Sequence, residues 1–435
     1  MIATRLVLAA RLGFSALVLS LGVLRTLGMA AESGPVEFRQ DDRVVLLGGT
    51  FIERLQVYGH LETRLTAALG GRNVTFRNLG WSGDTVWGEA RAVFGTPADG
   101  FKRLVKDTLD AKPTLLLIQY GANEAQAGPT GIPEFIAQYG RLLDALAPTK
   151  ARIALLSPVR REQVSPKLPD PAPYNSQLDD YCQAIAEFAR SRGVAYVDLR
   201  DLFANPPQLT SAKEATRTFH FTDNGLHPNE PGSLLVADRI AGKLGVPTVR
   251  WTVAANANAA SAPAGLNVEL ISRDSSSLKF KATAAHLPAP PVYRNRQPGG
   301  QGAASQPPTL FRLPDLLASL RVTDLEAGDY DLFIDGKKVA TAEAANWATG
   351  VGFEIAEDTE QAEKLRQAIY DKNVLYFHRY RPQNETYLFL FRKHEQGNNA
   401  IEIPQFDPLI AAKEAEIAKL RTPASHQFEL KKTAR

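Results

Sequence analysis

Four short turns, far apart along the chain, carry residue types suited to acyl transfer. The last, Thr222-Asp223-Asn224-Gly225-Leu226-His227-Pro228-Asn229, supplies an imidazole. The earlier three are Gly48-Gly49-Thr50, Asn78-Leu79-Gly80-Trp81-Ser82-Gly83-Asp84 and Tyr120-Gly121-Ala122-Asn123-Glu124. Thr50 offers a hydroxyl nucleophile, and His227 would act toward it as general base and then toward the leaving group as acid. Three donors would face a developing oxyanion: the Thr50 N–H, the Gly83 N–H with no side chain in its way, and the Asn123 amide. Each such donor is typically worth ~3 kcal/mol of transition-state stabilisation. Asn224 would orient the His227 ring. Asp223, Glu53 and Glu124 are the carboxylates that would support it if they reach it; otherwise they are solvated or helix-capping groups.

These turns need a scaffold that brings them to one rim. From about residue 43 to 246, short apolar runs at Val44 to Leu47, Val74 to Asn78, Thr114 to Gln119, Arg152 to Ser157 and Val194 to Asp198 alternate with amphipathic stretches. The latter lie near 51–69, 98–110, 133–147, 174–192 and 231–244. This alternation predicts βα units around a parallel sheet of five strands, a three-layer α/β sandwich. In such sheets, sites form at the carboxyl ends of strands, where helix N-termini present unpaired N–H groups. Thr50, Gly83 and Asn123 fall just after the first three strands, and the His227 loop precedes the last helix.

After Val246 the pattern changes to short β-like runs at 267–272, 277–282, 320–323, 330–334 and 337–342, the last two joined by Asp335-Gly336, a two-residue hairpin signal. Leu287 to Pro308, rich in Pro, Gly, Gln and Ala, is expected to be a disordered loop. Helices are expected at 359–371 and 408–421. The chain therefore divides into a leader at 1–30, an α/β domain at 37–247 and a smaller β-rich domain with appended helices at 248–435.

The order of the four turns resembles the SGNH, or GDSL, hydrolases, a family of secreted esterases, lipases and carbohydrate deacetylases, over roughly residues 40 to 246. Gly83, Asn123 and His227 match its motifs outright. Thr50 stands at the family's serine, Gly49 and Glu124 at neighbouring aspartates, and Asn224 at the aspartate that orients the histidine. The resemblance implies a flavodoxin-like α/β/α domain and ester hydrolysis, with an acyl or acetyl group on a carbohydrate as the expected substrate. Threonine crowds the attack path with its β-methyl, and an Asp to Asn change in a serine-protease triad lowers turnover about 10⁴-fold through the wrong imidazole tautomer. Two other readings therefore stay open: a carbohydrate-binding or scaffold protein that has lost turnover, and repurposed chemistry using Glu124 or Glu53. A polar, aromatic and Arg-rich stretch from Phe377 to Asn399 resembles stretches in large secreted bacterial relatives with the same threonine-type first turn. It would hydrogen-bond sugars or form a domain interface.

Trp81 and Trp87 flank Gly83 and would either stack on a sugar or belong to the core; Glu124 and Trp81 are the candidate substrate contacts. His60 is expected to be partly buried, and His220 to be a structural residue or a second base. No histidine pair has metal-helix spacing, and neither a GxGxxG nor a P-loop occurs, so no metal or cofactor is expected. Cys182 is the single cysteine, which excludes an internal disulfide. Arg5 and Arg11 precede an apolar stretch from Leu12 to Leu24, then Gly28-Met29-Ala30, the pattern of a secretory signal, with an uncleaved anchor as the alternative. The leader holds three arginines and no acid, so the rest of the chain is balanced against the overall +3. That balance argues against a nucleic-acid partner and leaves a small-molecule or polysaccharide ester acted on outside the cytoplasm.

Overall fold

A computed structural model describes residues 36–207, 219–246, 251–257, 267–273, 277–293, 310–311 and 318–433. The expected leader lies outside the described residues, as does the join between the two expected domains at 247–250. Strands β1 (Arg43–Gly48), β2 (Thr75–Gly80), β3 (Leu115–Gln119), β4 (Arg152–Leu156) and β5 (Ala195–Val197) form one sheet in the order β2-β1-β3-β4-β5. All four pairings are parallel. Helices α1 (Thr50–Arg54), α2 (His60–Ala68), α3 (Pro97–Asp110), α4 (Ile132–Leu146), α5 (Ala172–Arg192) and α6 (Glu230–Lys243) cover it.

Alternation along β1 explains why both sheet faces are covered. Val44 and Leu46 join Leu65 of α2 and Val236 and Ile240 of α6 in one core. Val45 and Leu47 join Leu104 of α3, Leu142 of α4 and Ile185 of α5 in the other, as the two-residue period of a strand requires. The single helix expected at 51–69 is two. The chain leaves α1 at Leu55 and re-enters a helix only after Gly59, whose φ of 74° is a left-handed turn that L side chains adopt poorly.

The C-terminal half contains β6 (Thr252–Asn256), β7 (Val268–Arg273), β8 (Ser277–Thr283), β9 (Val292–Tyr293), β10 (Leu310–Phe311), β11 (Ala318–Thr323), β12 (Asp329–Ile334) and β13 (Lys337–Glu343). Then come α7 (Ala344–Thr349), β14 (Val351–Phe353), α8 (Ala356–Tyr380), α9 (Glu385–Leu388), α10 (Phe406–Leu420) and β15 (Ser425–Lys432). An antiparallel sheet β13-β12-β15-β8-β7 faces a smaller sheet β14-β11-β6 across a core of Trp251, Phe280, Phe353 and Phe428. Positive φ at Asp335 (48°) and Gly336 (80°) closes the β12–β13 hairpin as expected.

Two expectations need correction. The segment expected to be disordered from Leu287 begins packed: Leu287 sits among Leu365 and Ile369 of α8, and Val292 enters the core under α6. Average composition hides two apolar side chains that each find an apolar surface; residues 294–308 of that segment lie outside the described residues. Nor are the C-terminal helices confined to the β-rich part. They pack on the first domain, through Lys372 Nζ to Glu62 Oε1 (2.6 Å), Arg366 to the Tyr58 carbonyl (2.9 Å) and Arg77 to Glu414 (2.5 Å), so that residues 32–435 form one unit.

One buried histidine ties the hairpin to α8. His426 Nδ1 lies 2.6 Å from Asp335 Oδ2 and Nε2 lies 3.1 Å from Asp358 Oδ1, so both nitrogens face acceptors and the ring carries both protons. Burial opposes the charge, but hydrogen bonds to Asp335 and Asp358 outweigh it and hold the imidazolium above its ordinary range. A raised folded pKa stabilises fully below the ordinary value and is lost as pH rises through the raised one. His426→Gln is expected to destabilise by about 2 kcal/mol. Its deficit in thermal midpoint against wild type should be larger at about pH 6 than at about pH 9, and an equal deficit at both would show that the ring is neutral.

Candidate functional site

The Thr50 hydroxyl is fixed by where β1 stops. Gly49 caps α1, Thr50 is the first helical residue, and the Gly48 carbonyl accepts from Trp81 N–H (2.9 Å), which locks the first turn to the second. A Cβ at Gly80 would lie 2.2 Å from the Glu53 nitrogen, so only glycine lets β2 end this close to α1. The chain then turns at Gly83 (φ 80°), whose N–H donates to Thr50 Oγ1 at 3.0 Å. Asn123 Nδ2 donates to the Asp84 carbonyl at 2.8 Å, bringing the third turn against the second. A Cβ at Gly49 would stand 3.2 Å from that same carbonyl, a physical reason for glycine where the resembled family has aspartate. Gly49, Thr50, Asp84 and Asn123 line a small pocket of about 70 Å³ that also includes Tyr174, Arg161 and Leu226.

Two residues expected at the substrate are engaged with protein, although Glu124 also lines the pocket. Glu124 is buried, with Oε1 accepting from Val86 N–H (2.7 Å) and Oε2 from Gly121 N–H (2.9 Å). Burial pushes its pKa up to about 7, against the pull of its backbone donors. Trp81, also buried, presents no stacking face. Arg381 lies 3.8 Å over its ring, Arg103 4.9 Å and Arg91 5.2 Å, with Tyr380 edge-on. Glu53 is likewise engaged, accepting from Ser82 N–H and Oγ (both 2.7 Å) and from Arg381 (2.8 Å).

The imidazole sits in a tight loop. Thr222 bridges Pro228, Asp223 N–H donates to the His227 carbonyl (3.0 Å), and the Asn229 side chain caps α6 through Gly232 N–H (2.8 Å). Glu162, in the segment after β4, grips the loop through Phe221 N–H, Thr222 N–H and the Thr222 hydroxyl, and its carboxylate also faces His220 Nδ1 at 3.3 Å. His60 is buried in α2, 3.7 Å from Glu230.

Asn224 Oδ1 accepts from Leu226 N–H (3.1 Å) and His227 N–H (2.9 Å), so its orientation is set; exchanging O and N would put the amide group against two donors. The –NH₂ group therefore faces His227 Nδ1 at 3.3 Å, making Nδ1 the acceptor and placing the ring hydrogen on Nε2. The Asp223 carboxylate, its pKa raised by burial, acts on His227 through its charge. Burial first, then the field of Arg54, holds the His227 pKa below its ordinary value, with Asp223 and Glu53 opposing. Among the described residues no hydrogen bond joins Thr50 Oγ1 to the His227 ring.

Arg161, Tyr174, Glu162 and Arg381 were not among the residues singled out by sequence for this site. For two of them a usable signal exists, because Arg161 and Glu162 follow the fourth strand, where the carboxyl-end rule places site residues. Arg381 lies in the Arg-rich stretch noted from sequence, but its partners were not readable there, because it is delivered by the end of a helix about 300 residues downstream of β2.

A parallel α/β sandwich with a hydroxyl, two glycine turns, an amide and an imidazole at the carboxyl ends of its strands defines a hydrolase-type scaffold. Residues 47–233 match the model of the GDSL-like Lipase/Acylhydrolase family, and this domain belongs to that family. The chain is similar in fold to a gut microbial diltiazem-metabolizing enzyme (TM-score 0.68, 15% identity, 92% of this chain and 99% of that one), a likeness that runs into the C-terminal half. Smaller matches are a catalytic mutant of an acetylxylan esterase from Geobacillus stearothermophilus (TM-score 0.36, 16% identity, 48% and 97%) and another acetyl xylan esterase (TM-score 0.34, 17% identity, 46% and 98%). No curated protein sequence matches the chain.

The tautomer is directly measurable. Nitrogen-15 NMR of the imidazoles is expected to show His227 as the Nε2–H form, titrating below the ordinary histidine value, and Asn224→Asp is expected to move the hydrogen to Nδ1 and raise the titration. A wild-type Nδ1–H form would contradict the assigned orientation of Asn224.

Proposed function

We propose that the domain is an exported ester hydrolase of slow turnover, acting on an acyl or acetyl group carried by a carbohydrate. The observation that carries the reading is the Gly83 N–H at 3.0 Å from Thr50 Oγ1, with Asn123 in the same small pocket. Thr50 Oγ1 attacks the ester carbonyl carbon, and the Thr50 N–H, Gly83 N–H and Asn123 amide receive the oxyanion. His227 takes the threonine proton and returns it to the departing alcohol oxygen; water then cleaves the acyl-threonine by the reverse sequence. Asn224, with the charge of Asp223, holds the ring. Slow turnover follows from the tautomer, because a base acting through Nε2 needs that nitrogen bare.

The small volume suits a short acyl group, and a lining that sets Phe51 and Phe203 among polar groups suits a sugar. Export rests on the basic and apolar pattern of residues 1–30; no helix among the described residues is long and apolar enough to cross a membrane. A second reading, a carbohydrate-binding protein without turnover, is favoured by one observation, the Asn224 amide hydrogens on Nδ1.

The two separate on acetylated saccharides and short aryl esters. Wild-type protein is expected to turn over slowly, Thr50→Ala and His227→Ala to abolish it, and Asn224→Asp to accelerate it roughly 10²-fold or more, a fraction of what the reverse change costs a serine protease. Absence of turnover in both wild type and Asn224→Asp, with saccharide binding retained, would establish the second reading.

A further inference from the structure

The pocket beside Thr50 holds a cation that no carboxylate neutralises. Arg161 lines it, and its guanidinium carbon lies 3.6 Å over the Tyr174 ring, while its Nε is buried without a hydrogen-bond partner. Among the described residues Arg161 has no salt bridge. Its neighbour Arg160, which also lines the pocket, is fully engaged by Asp179 (2.8 Å) and Asp201 (2.6 Å). The two pocket carboxylates have other duties: Asp84 pairs with Arg91, and Glu124 takes backbone N–H groups.

Arg161 is also held still. The Asn175 side chain accepts from Arg161 N–H (2.8 Å) and donates to its carbonyl (3.0 Å), fixing the backbone from α5. Next along, Glu162 is anchored to the histidine loop. Tyr174, on which the guanidinium stacks, donates its hydroxyl hydrogen to the Ala122 carbonyl (2.7 Å), adjacent to Asn123. The fork is thus set against the third turn by α5, with the histidine loop holding the residue beside it. A buried donor with no partner is costly unless a ligand completes it, and a planar guanidinium stacked on an aromatic ring matches a carboxylate with two parallel hydrogen bonds.

The geometry points to Arg161 as the specificity residue for an anionic substrate: a saccharide ester bearing a carboxylate, seated on the guanidinium while its acyl group lies at Thr50. This rests on the ester-hydrolase reading for the chemistry, but not for the binding. The carboxylate would come either from the sugar, as in a uronic acid, or from the acyl group, as in a half-ester of a dicarboxylic acid. Arg161 touches no reacting atom, so its effect belongs in recognition of the charged substrate.

The test uses full-length protein with acetylated oligogalacturonate, acetylated neutral xylo-oligosaccharide, and paired aryl acetate and aryl hemisuccinate esters. Wild type is expected to favour the carboxylate-bearing member of one pair, and the pair that shows the preference identifies the source of the charge. Arg161→Gln is expected to cut that preference in kcat/KM by roughly 10-fold or more, chiefly through KM, with Arg161→Lys restoring part of it. Calorimetry with unacetylated trigalacturonate against xylotriose, and with succinate against acetate, reads binding without turnover. Arg161-dependent binding of either anion in a protein that hydrolyses no ester keeps this inference and removes the ester-hydrolase reading. Turnover with no preference for charge in either pair, unchanged by Arg161→Gln, removes this inference and keeps that reading. Absence of both charge-dependent binding and charge-dependent turnover overturns it outright.

Discussion

A fully buried ion pair underlies the turn at Gly83. Arg91 Nε lies 2.7 Å from Asp84 Oδ2 with both side chains sealed from solvent, and the same guanidinium donates to the Leu79 carbonyl at 2.8 Å. Tyr120 adds its hydroxyl to Asp84 (3.1 Å), so one carboxylate gathers the ends of β2 and β3. Removing one partner of such a pair leaves a bare charge in a low dielectric, at about 3–5 kcal/mol. The backbone of Asp84 transmits that rigidity, since its carbonyl accepts from Asn123 and its N–H donates to the Trp81 carbonyl. Gly83 sits inside this clamp. Its N–H reaches Thr50 because the residue after it cannot move.

The C-terminal half reaches the same turn from the opposite side. Tyr380, at the end of α8, donates to the Gly80 carbonyl at 2.8 Å, and Arg381 bonds Glu53 while covering Trp81. Glu53 in turn holds Ser82, one residue from Gly83. Truncation before α8 would therefore uncover Trp81 and free the Glu53 carboxylate from Arg381, so the second half braces the turn from behind and is not a module carried beside it. The polar, aromatic stretch at 377–381 reads as an interface for this reason: its rings and guanidinium are engaged with protein.

Strand and helix positions of the α/β domain were legible because each element has its own period and its own punctuation. Thr96 and Asp99 form a capping box at α3, and the Asp335-Gly336 hairpin was readable from two residues. What local pattern could not show depends on distant partners. β15, from the end of the chain, takes the centre of the antiparallel sheet between β12 and β8, and its polar alternation says nothing about which strands will accept it. The turns bearing Thr50, Gly83, Asn123 and His227 were identifiable by type and order. Which atom of Asn224 faces the ring, and that Trp81 lies under three arginines, follow only from three-dimensional contacts.

The substitutions that set this domain apart shift its pocket toward positive charge in a concerted way. An aspartate at position 224 would accept a hydrogen from His227 Nδ1 and leave Nε2 as an acceptor; asparagine removes one negative charge and turns Nε2 into a donor. Glycine at 49 removes a second carboxylate from the pocket rim. With the Arg54 field on His227 less opposed and Arg161 without a salt bridge among the described residues, the donors around Thr50 include the Gly83 N–H on its hydroxyl and the Arg161 guanidinium in the pocket it lines. Such an array stabilises negative charge on whatever enters, but it leaves Thr50 short of a group to take its proton. Recognition and activation therefore pull apart at position 224. On the proposed chemistry, the asparagine that removes a negative charge beside His227 is the same residue that would slow the nucleophile.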